Sequence, residues 1–273
     1  MAKTMRYGVY LPAFGPLGNP LDLVELAVRA EAAGWDGVFL WDHVRTEHQP
    51  VADTWSTLAA IAQATERIRL GPMVTPLPRR RPWVVARQAD TVSRLSGGRL
   101  VLGAGLGSDE SGDFSAFGEP TGAPARSAML DEGLGIMRAM WAGTPLRHDG
   151  PHYRVDLPAA PPAPHPIPVW IAMSRRHPKV LARAAGADGI FPSPGGRTPS
   201  PAEIAELVAA VPVRDVVVSG NASPAWAEPP RADVRALAAA GATWWLESLF
   251  YLDPLALSLQ VVDAGPGYWR NTR

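Results

Sequence analysis

The sequence predicts an α/β protein of a single domain, a (β/α)8 TIM barrel. Eight short apolar runs alternate with segments of helical period along the 273 residues. Eight such units in roughly 250 residues match the size of a barrel. An open doubly wound sheet is the alternative, but such sheets usually have about five to seven strands.

The first half of the chain contains four of the predicted strands. The first strand is stopped by Pro12, and Gly34 is placed to end the helix that follows it. The strands are predicted at 6–11, 37–41, 68–75 and 100–103, with helices between them at 21–33, 53–65 and 82–95.

The second half repeats this alternation after an interruption. A long helix is predicted at 127–141, strands at 169–172, 189–191, 215–219 and 243–247, and helices at 177–185, 201–210, 231–240 and 254–263. The stretch 158–168 is the best linker candidate because it is rich in proline, but a cut there leaves two half-barrels with exposed cores. We therefore expect one domain over 1–273, with an irregular excursion around 108–167.

Composition excludes several classes of protein. The absence of Cys excludes thiol catalysis, disulfides and cysteine-ligated zinc. A net charge of zero argues against a nucleic-acid partner, and the lack of an 18-residue apolar run argues against a membrane span. No signal-peptide pattern opens the chain, so a cytoplasmic protein is expected.

In a barrel, the site lies at the carboxyl ends of the strands. Asp42 and His43 follow the second strand, where His43 suits acid–base chemistry, while the alternative is that Asp42 caps the next segment. His43 and His48 do not share a helix face, and no acidic triad nearby in sequence completes a metal site, so no metal site is predicted.

The third and fourth strands are followed by less specific signals. Arg79, Arg80 and Arg81 either grip an anion or neutralise neighbouring acids and carbonyls. The glycines at 103, 105 and 107 lack the spacing of a dinucleotide fingerprint. They allow either close backbone approach to a flat ring or strand, or a tight turn.

The fifth strand is followed by Ser174, Arg175 and Arg176, directly ahead of a predicted helix. A hydroxyl, two guanidinium groups and helix N–H groups together suit a phosphate. The alternative is that Ser174 is an ordinary helix cap.

Several segments together resemble one family. The stretches GWDGVFLWDH, RIRLGPMVTP, LSGGRLVLG, MLDEGL, MWAG and PVWIA resemble the bacterial luciferase-like flavin oxidoreductases; they lie at 34–43, 67–76, 95–103, 129–134, 140–143 and 168–172. The resemblance covers roughly residues 5 to 195 in order, and the rest of the chain is similar only in outline.

The resemblance implies a barrel that binds FMN or the deazaflavin coenzyme F420 at the carboxyl ends of its strands. It places a functional His at His43 and a non-prolyl cis peptide at Met73–Val74, with the segment 73–75 behind the flavin ring. It also places Gly105 and Gly107 beside the ring. The cofactor-binding residues implied are therefore Met73, Val74, Thr75, Gly105, Gly107, Ser174 and Arg175, the last two at the phosphate.

The sequence also departs from the family pattern. Ser108 stands where some deazaflavin-dependent dehydrogenases carry a catalytic carboxylate, and Asp109 and Glu110 are shifted from that position. This difference argues against a sugar-phosphate dehydrogenase. The reactive cysteine of luciferase itself is absent.

The sequence therefore predicts a flavin-dependent oxidoreductase, in the first place a monooxygenase that uses reduced flavin and oxygen on a small organic substrate. The first alternative is a deazaflavin-dependent hydride-transfer reductase or dehydrogenase, and the second is a non-catalytic flavin-binding barrel. His43 is assigned proton transfer, with Asp42 orienting it. A separate flavin reductase and a homodimer are the partnerships considered alongside the substrate.

Overall fold

The computed structural model describes residues 4–46, 49–222 and 232–267, so His48 lies outside the described residues. Eleven strands are found in these ranges: β1 Arg6–Leu11, β2 Gly37–Leu40, β3 Arg69–Pro72, β4 Thr75–Pro76, β5 Leu102–Gly105, β6 Leu146–Asp149, β7 Arg154–Leu157, β8 Val169–Met173, β9 Gly189–Pro192, β10 Asp215–Gly220 and β11 Trp244–Ser248. The α-helices are α1 Pro20–Ala32, α2 Thr54–Ala64, α3 Pro82–Leu95, α4 Ala123–Ala142, α5 Pro178–Ala185, α6 Pro201–Ala210, α7 Val234–Ala239 and α8 Leu255–Ala264.

Nine of these strands form one parallel sheet in the order β3-β2-β1-β11-β10-β9-β8-β5-β4. β3 and β4 are two parts of one interrupted strand, and β4 pairs with β5. A parallel bridge between Leu70 and Leu100 joins β3 to the segment just before β5. The sheet therefore closes on itself with eight strand positions, and the predicted (β/α)8 barrel is confirmed.

Two of the predicted strands differ from the structure. The strand predicted at 68–75 is divided because residues 73 and 74 leave the ladder, and the Met73–Val74 peptide is cis, as the resemblance implies. The strand predicted at 100–103 lies at 102–105, since Leu100 makes only an isolated bridge.

The interval between β5 and β8 contains an element that the sequence analysis missed. β6 and β7 form an antiparallel pair outside the barrel, with Leu146 opposite Leu157. Neither strand has a buried residue. The sequence LRHD has only one apolar residue, and RVDL alternates over only four residues, which is the shortest run by which a strand is recognised.

The barrel interior is filled by large side chains from many strands. Trp170 and Trp244 lie with ring centroids 5.4 Å apart, and Phe39 lies 5.3 Å and 5.8 Å from them. All three are buried. The barrel is therefore plugged below its carboxyl-terminal end, which leaves that end as the place for a ligand. Among the described helices, none has the length and apolar character needed to cross a bilayer.

Closure of the barrel depends on a close approach at Gly71 in β3. A Cβ atom at this position would lie 1.9 Å from the backbone oxygen of Val101. We expect Gly71→Ala to lower the free energy of unfolding by at least about 1–3 kcal/mol, because the overlap can be relieved only by separating the two strands. Chemical denaturation measures this change.

Gly135, exposed in the middle of α4, provides the matched control. A Cβ there meets nothing within 4 Å. Gly135→Ala should raise the free energy of unfolding by about 0.5–1 kcal/mol, since alanine favours the helix. Equal stability of Gly71→Ala and the wild type would contradict the closure argument.

Candidate active site

A cavity of about 1160 Å³ opens at the carboxyl-terminal end of the barrel. This volume is slightly above the usual range for small-molecule sites, roughly 300–1,000 Å³. Six of the residues predicted from the sequence line it: Asp42, His43, Met73, Val74, Gly107 and Ser174. Thr75 and Gly105 are buried next to lining residues, and Arg175 is exposed and does not line the cavity.

His43 follows β2 and is held by a carboxylate from a distant part of the chain. Its Nδ1 lies 2.5 Å from Oδ2 of Asp113, and the two residues are 70 positions apart in sequence. The backbone N–H groups of Val44 and Arg45 donate to Oδ1 of the same carboxylate. Asp113 thus fixes the orientation of the ring and leaves Nε2 as the nitrogen available for chemistry.

Burial works to raise the pKa of Asp113, but the hydrogen bond with His43 and that from the Val44 N–H outweigh it. The pKa of this carboxyl group therefore lies below its ordinary value. An ionised Asp113 can only accept, so the proton of the short contact resides on Nδ1 of His43. Nε2 of the neutral ring is consequently an acceptor.

Asp42 has a different role from the predicted one, because Asp113 and not Asp42 contacts the His43 ring. Asp42 accepts hydrogen bonds from Thr75 Oγ1 at 2.9 Å, Arg79 Nη2 at 3.1 Å and Arg80 Nη2 at 2.7 Å. The prediction that Asp42 orients His43 is therefore corrected. Asp42 instead anchors a buried ion cluster. Arg79 and Arg80 thus neutralise a neighbouring acid, which is one of the two roles predicted for the run of three arginines.

The ion cluster extends from Asp42 to Asp113 through Arg79. Nη1 of Arg79 lies 3.1 Å from Oδ1 of Asp113, and its Nη2 also reaches the backbone oxygen of Asp42 at 2.9 Å. Burial lowers the pKa of Arg79, although both aspartates oppose the shift. The buried charges of the two aspartates are thus balanced by those of Arg79 and Arg80.

Met73 and Val74 form an apolar ledge on one side of the cavity. Gly105 is required behind this ledge, because a Cβ there would lie 2.8 Å from Cγ2 of Val74 and 3.2 Å from Cβ of Ala172. Gly107 has a φ of +74°, and a Cβ would also lie 2.7 Å from Pro76. Close approach to a neighbouring strand thus explains Gly105, and a turn explains Gly107.

Ser174 lines the cavity at the end of β8, but it is not the cap of α5. His177 is the N-cap residue, and its side chain accepts from the backbone N–H of Lys179. Arg176 pairs instead with Glu206. Two arginines that the sequence analysis did not select, Arg183 and Arg197, line the cavity on this side.

Aromatic side chains form another wall of the cavity. Phe14 lies 5.2 Å from His43, 5.8 Å from Trp41 and 5.6 Å from Tyr251 between ring centroids. Tyr10 lies 5.3 Å from Trp41, and burial raises the pKa of the Tyr10 phenol. The Nε1 atom of Trp41 is buried without a hydrogen-bond partner among the described residues.

Sequence reasoning missed Asp113 and most of this aromatic wall. Asp113 lies in a loop without a periodic pattern, and its only sequence signal is membership of the segment after the fourth predicted strand. Phe14 and Tyr10 could have been found from their place at the end of the first strand. Among the described residues, no group of three or more His, Asp or Glu side chains could hold a metal ion.

Curated relatives of this chain share part of its length. An F420-dependent glucose-6-phosphate dehydrogenase of Intrasporangium calvum is 37% identical over 188 residues, which are 63% of this chain and 52% of that protein. One of Amycolatopsis mediterranei is 36% identical over 179 residues, 63% of this chain and 52% of the relative. The chain therefore spans about half the length of these relatives.

Solved structures share the fold over nearly the whole chain. An F420-dependent secondary alcohol dehydrogenase in complex with an F420-acetone adduct is 18% identical, with a TM-score of 0.74 over 96% of this chain and 99% of that one. The monooxygenase RslO1 from Streptomyces bottropensis is 20% identical, with a TM-score of 0.73 over 94% and 96%. The profile of the family described as luciferase-like monooxygenase matches residues 5–253. The resemblance seen in the sequence is thereby confirmed, and this chain belongs to the luciferase-like monooxygenase family.

Proposed function

We propose that this protein is a hydride-transfer oxidoreductase that uses the deazaflavin coenzyme F420. This is the first alternative of the sequence analysis, and the comparisons favour it over the monooxygenase that was placed first. Its support is that the relatives at 36–37% identity are named F420-dependent dehydrogenases. FMN is the competing cofactor, and the titration described below distinguishes it from F420.

The observation that carries the proposal is the pairing of His43 with Asp113 at the edge of the cavity. The 2.5 Å contact engages Nδ1, so Nε2 is the ring nitrogen left to serve the reaction. A dehydrogenase must remove the proton of a hydroxyl group as hydride leaves the adjacent carbon, and a neutral imidazole is suited to that task. The negative charge of Asp113 stabilises the ring once it has accepted the proton.

The residues present fit a bound deazaflavin. The cavity is large enough for a tricyclic ring and a substrate together, and the Met73–Val74 ledge offers an apolar surface for one face of the ring. Ser174 offers a hydroxyl group for a phosphate. The exposed position of Arg175 makes it a weaker candidate for that phosphate than Ser174.

When bound, the deazaflavin accepts or supplies a hydride, which carries two electrons. Residues of this chain supply proton transfer, orientation of the histidine and exclusion of water. His43 Nε2 takes up or returns the hydroxyl proton, Asp113 holds the ring and its tautomer, and the aromatic wall excludes water from the reacting carbon. Asp42, Arg79 and Arg80 keep the ends of the two neighbouring strands in register beneath His43.

The choice of cofactor is tested by titration of the purified chain. We expect coenzyme F420 to bind with a change in its fluorescence and FMN to bind at least about tenfold more weakly. Ser174→Ala should raise the dissociation constant of F420 roughly tenfold, because a hydrogen bond to a charged group contributes about 1.5–3 kcal/mol. Ser115→Ala, outside the cavity, serves as the control. Tight FMN binding without F420 binding would contradict the proposal and support a monooxygenase, the function predicted first from the sequence.

The roles of His43 and Asp113 are tested by turnover. His43→Ala should reduce kcat roughly a hundredfold to ten-thousandfold, whereas cofactor affinity should change much less. Asp113→Asn should reduce kcat by a smaller factor, because the ring loses its ionised partner while the volume is conserved. His152→Ala, in the loop between β6 and β7, is the matched histidine control and should leave kcat unchanged.

Chemical rescue separates proton transfer from a structural role. Added imidazole should restore part of the kcat that His43→Ala loses, since free imidazole can take over the proton transfer of the missing ring. Equal losses of kcat and cofactor affinity would instead mark His43 as a residue that only holds the cofactor.

A further inference from the structure

We propose that the part of the cavity beside His43, bounded by Phe14, Trp41 and Tyr251, accepts an uncharged alcohol or carbonyl compound with an apolar, ring-sized body. We call this region the aromatic chamber. The inference rests on the proposed function in one respect, because it takes the group next to His43 to be the reacting hydroxyl or carbonyl. It excludes a sugar phosphate as the preferred substrate.

The distribution of charge in the cavity is the first argument. Apart from His43, the basic residues among the described lining are Arg183 and Arg197. Arg183 already binds the carboxylate of Asp131 at 2.6 Å, and Arg197 binds that of Glu203 at 2.6 Å. Neither guanidinium group is therefore free to neutralise a substrate anion without breaking an existing ion pair.

The two arginines lie on the opposite side of the barrel from His43. Arg197 follows β9, which stands four strand positions from β2 in the closed barrel, and Arg183 lies on α5, just before β9. Both are thus on the side of Ser174, where the phosphate of a cofactor is proposed to bind. His43 follows β2, on the other side of the barrel.

One carboxylate near His43 stands outside the ion cluster. The charge of Asp113 is balanced within the cluster, whereas Glu110 lines the cavity from the same loop and does not belong to the cluster. Arg79 is almost fully buried and is paired with Asp42 and Asp113, so it offers no guanidinium group to a ligand. A phosphate with about two negative charges would therefore meet repulsion and would lose its hydration without a compensating cation.

Aromatic side chains make the walls of the chamber apolar. Phe14, Trp41 and Tyr251 form a continuous set of ring contacts that reaches His43 at 5.2 Å from Phe14. Rings at such distances present an apolar surface that suits a ring-sized or branched body. Polar groups of a hexose would lose water against these three rings, which offer no carbonyl or hydroxyl acceptor in exchange on their faces.

Three residues of the cavity lining carry a buried polar atom without a partner among the described residues: Trp41 Nε1, Thr46 Oγ1 and Gln49 Oε1. Of these, the Trp41 N–H belongs to the wall of the aromatic chamber. An alcohol or ketone oxygen can accept from this N–H, and an alcohol can also donate to Nε2 of His43. Trp41 and His43 therefore suit one oxygen atom of the ligand.

Ligand-detected saturation-transfer NMR on the full chain tests the inference, with and without coenzyme F420. Three probes separate charge from polarity: cyclohexanone is neutral and apolar, glucose is neutral and polar, and glucose 6-phosphate is charged and polar. We expect transfer to cyclohexanone and at least tenfold weaker binding of glucose and glucose 6-phosphate. Tyr251→Ala should weaken cyclohexanone binding about threefold to tenfold, since it removes one aromatic wall.

Phe117→Ala is the matched control, because Phe117 is an exposed aromatic residue that does not line the cavity. It should leave cyclohexanone binding unchanged. Trp41→Phe keeps a ring in the wall and removes Nε1, so it tests the donor separately and should weaken cyclohexanone binding.

The result that overturns the inference is glucose 6-phosphate binding as tightly as cyclohexanone, or cyclohexanone binding that Tyr251→Ala leaves unchanged. Cofactor titration in the same samples tests the proposed function independently. A chain that binds cyclohexanone in the chamber but not coenzyme F420 would refute the proposed function and retain the ligand class. A chain that binds F420 and prefers glucose 6-phosphate would refute the ligand class alone.

Discussion

The buried ion cluster beneath the cavity is the constraint on which the site depends. Asp42 is 3% exposed and Asp113 is 1% exposed, and Arg79 lies within 3.1 Å of an oxygen of each. Removal of one partner from a buried ion pair leaves an uncompensated charge, which costs about 3–5 kcal/mol. The cluster therefore holds together three segments of the barrel rim: the end of β2, the residues after β4 and the loop after β5.

The same cluster assigns different tasks to the two aspartates. Asp42 is adjacent to His43 in sequence, but its oxygens are occupied by Thr75, Arg79 and Arg80. Asp113 has one oxygen against His43 and the other against backbone N–H groups. Orientation of the histidine is thus supplied by a separate loop.

The barrel brings residues implied by the family resemblance and other residues of the chain around one cavity. Six of the predicted residues, including His43 and the Met73–Val74 ledge, line this cavity above a floor of packed tryptophans. The aromatic chamber and the paired state of Arg183 and Arg197 are features of the cavity wall. Where a cofactor supplies the reaction chemistry, specificity for the substrate comes from walls of this kind.

The sequence by itself determined the alternation of strands and helices, because hydrophobic period and proline or glycine boundaries are local signals. Pro82 and Pro201 open α3 and α6 at the predicted residues, since proline is suited to the first turn of a helix. The sequence also placed His43 at the end of a strand. That position marked it as a site residue, because the carboxyl ends of barrel strands meet at one face. The tertiary structure alone decided the partners: His43 meets Asp113 across 70 residues, and Arg80 meets Asp42 across 38. Such pairings depend on which loops approach one another above the barrel, and no local pattern encodes that approach.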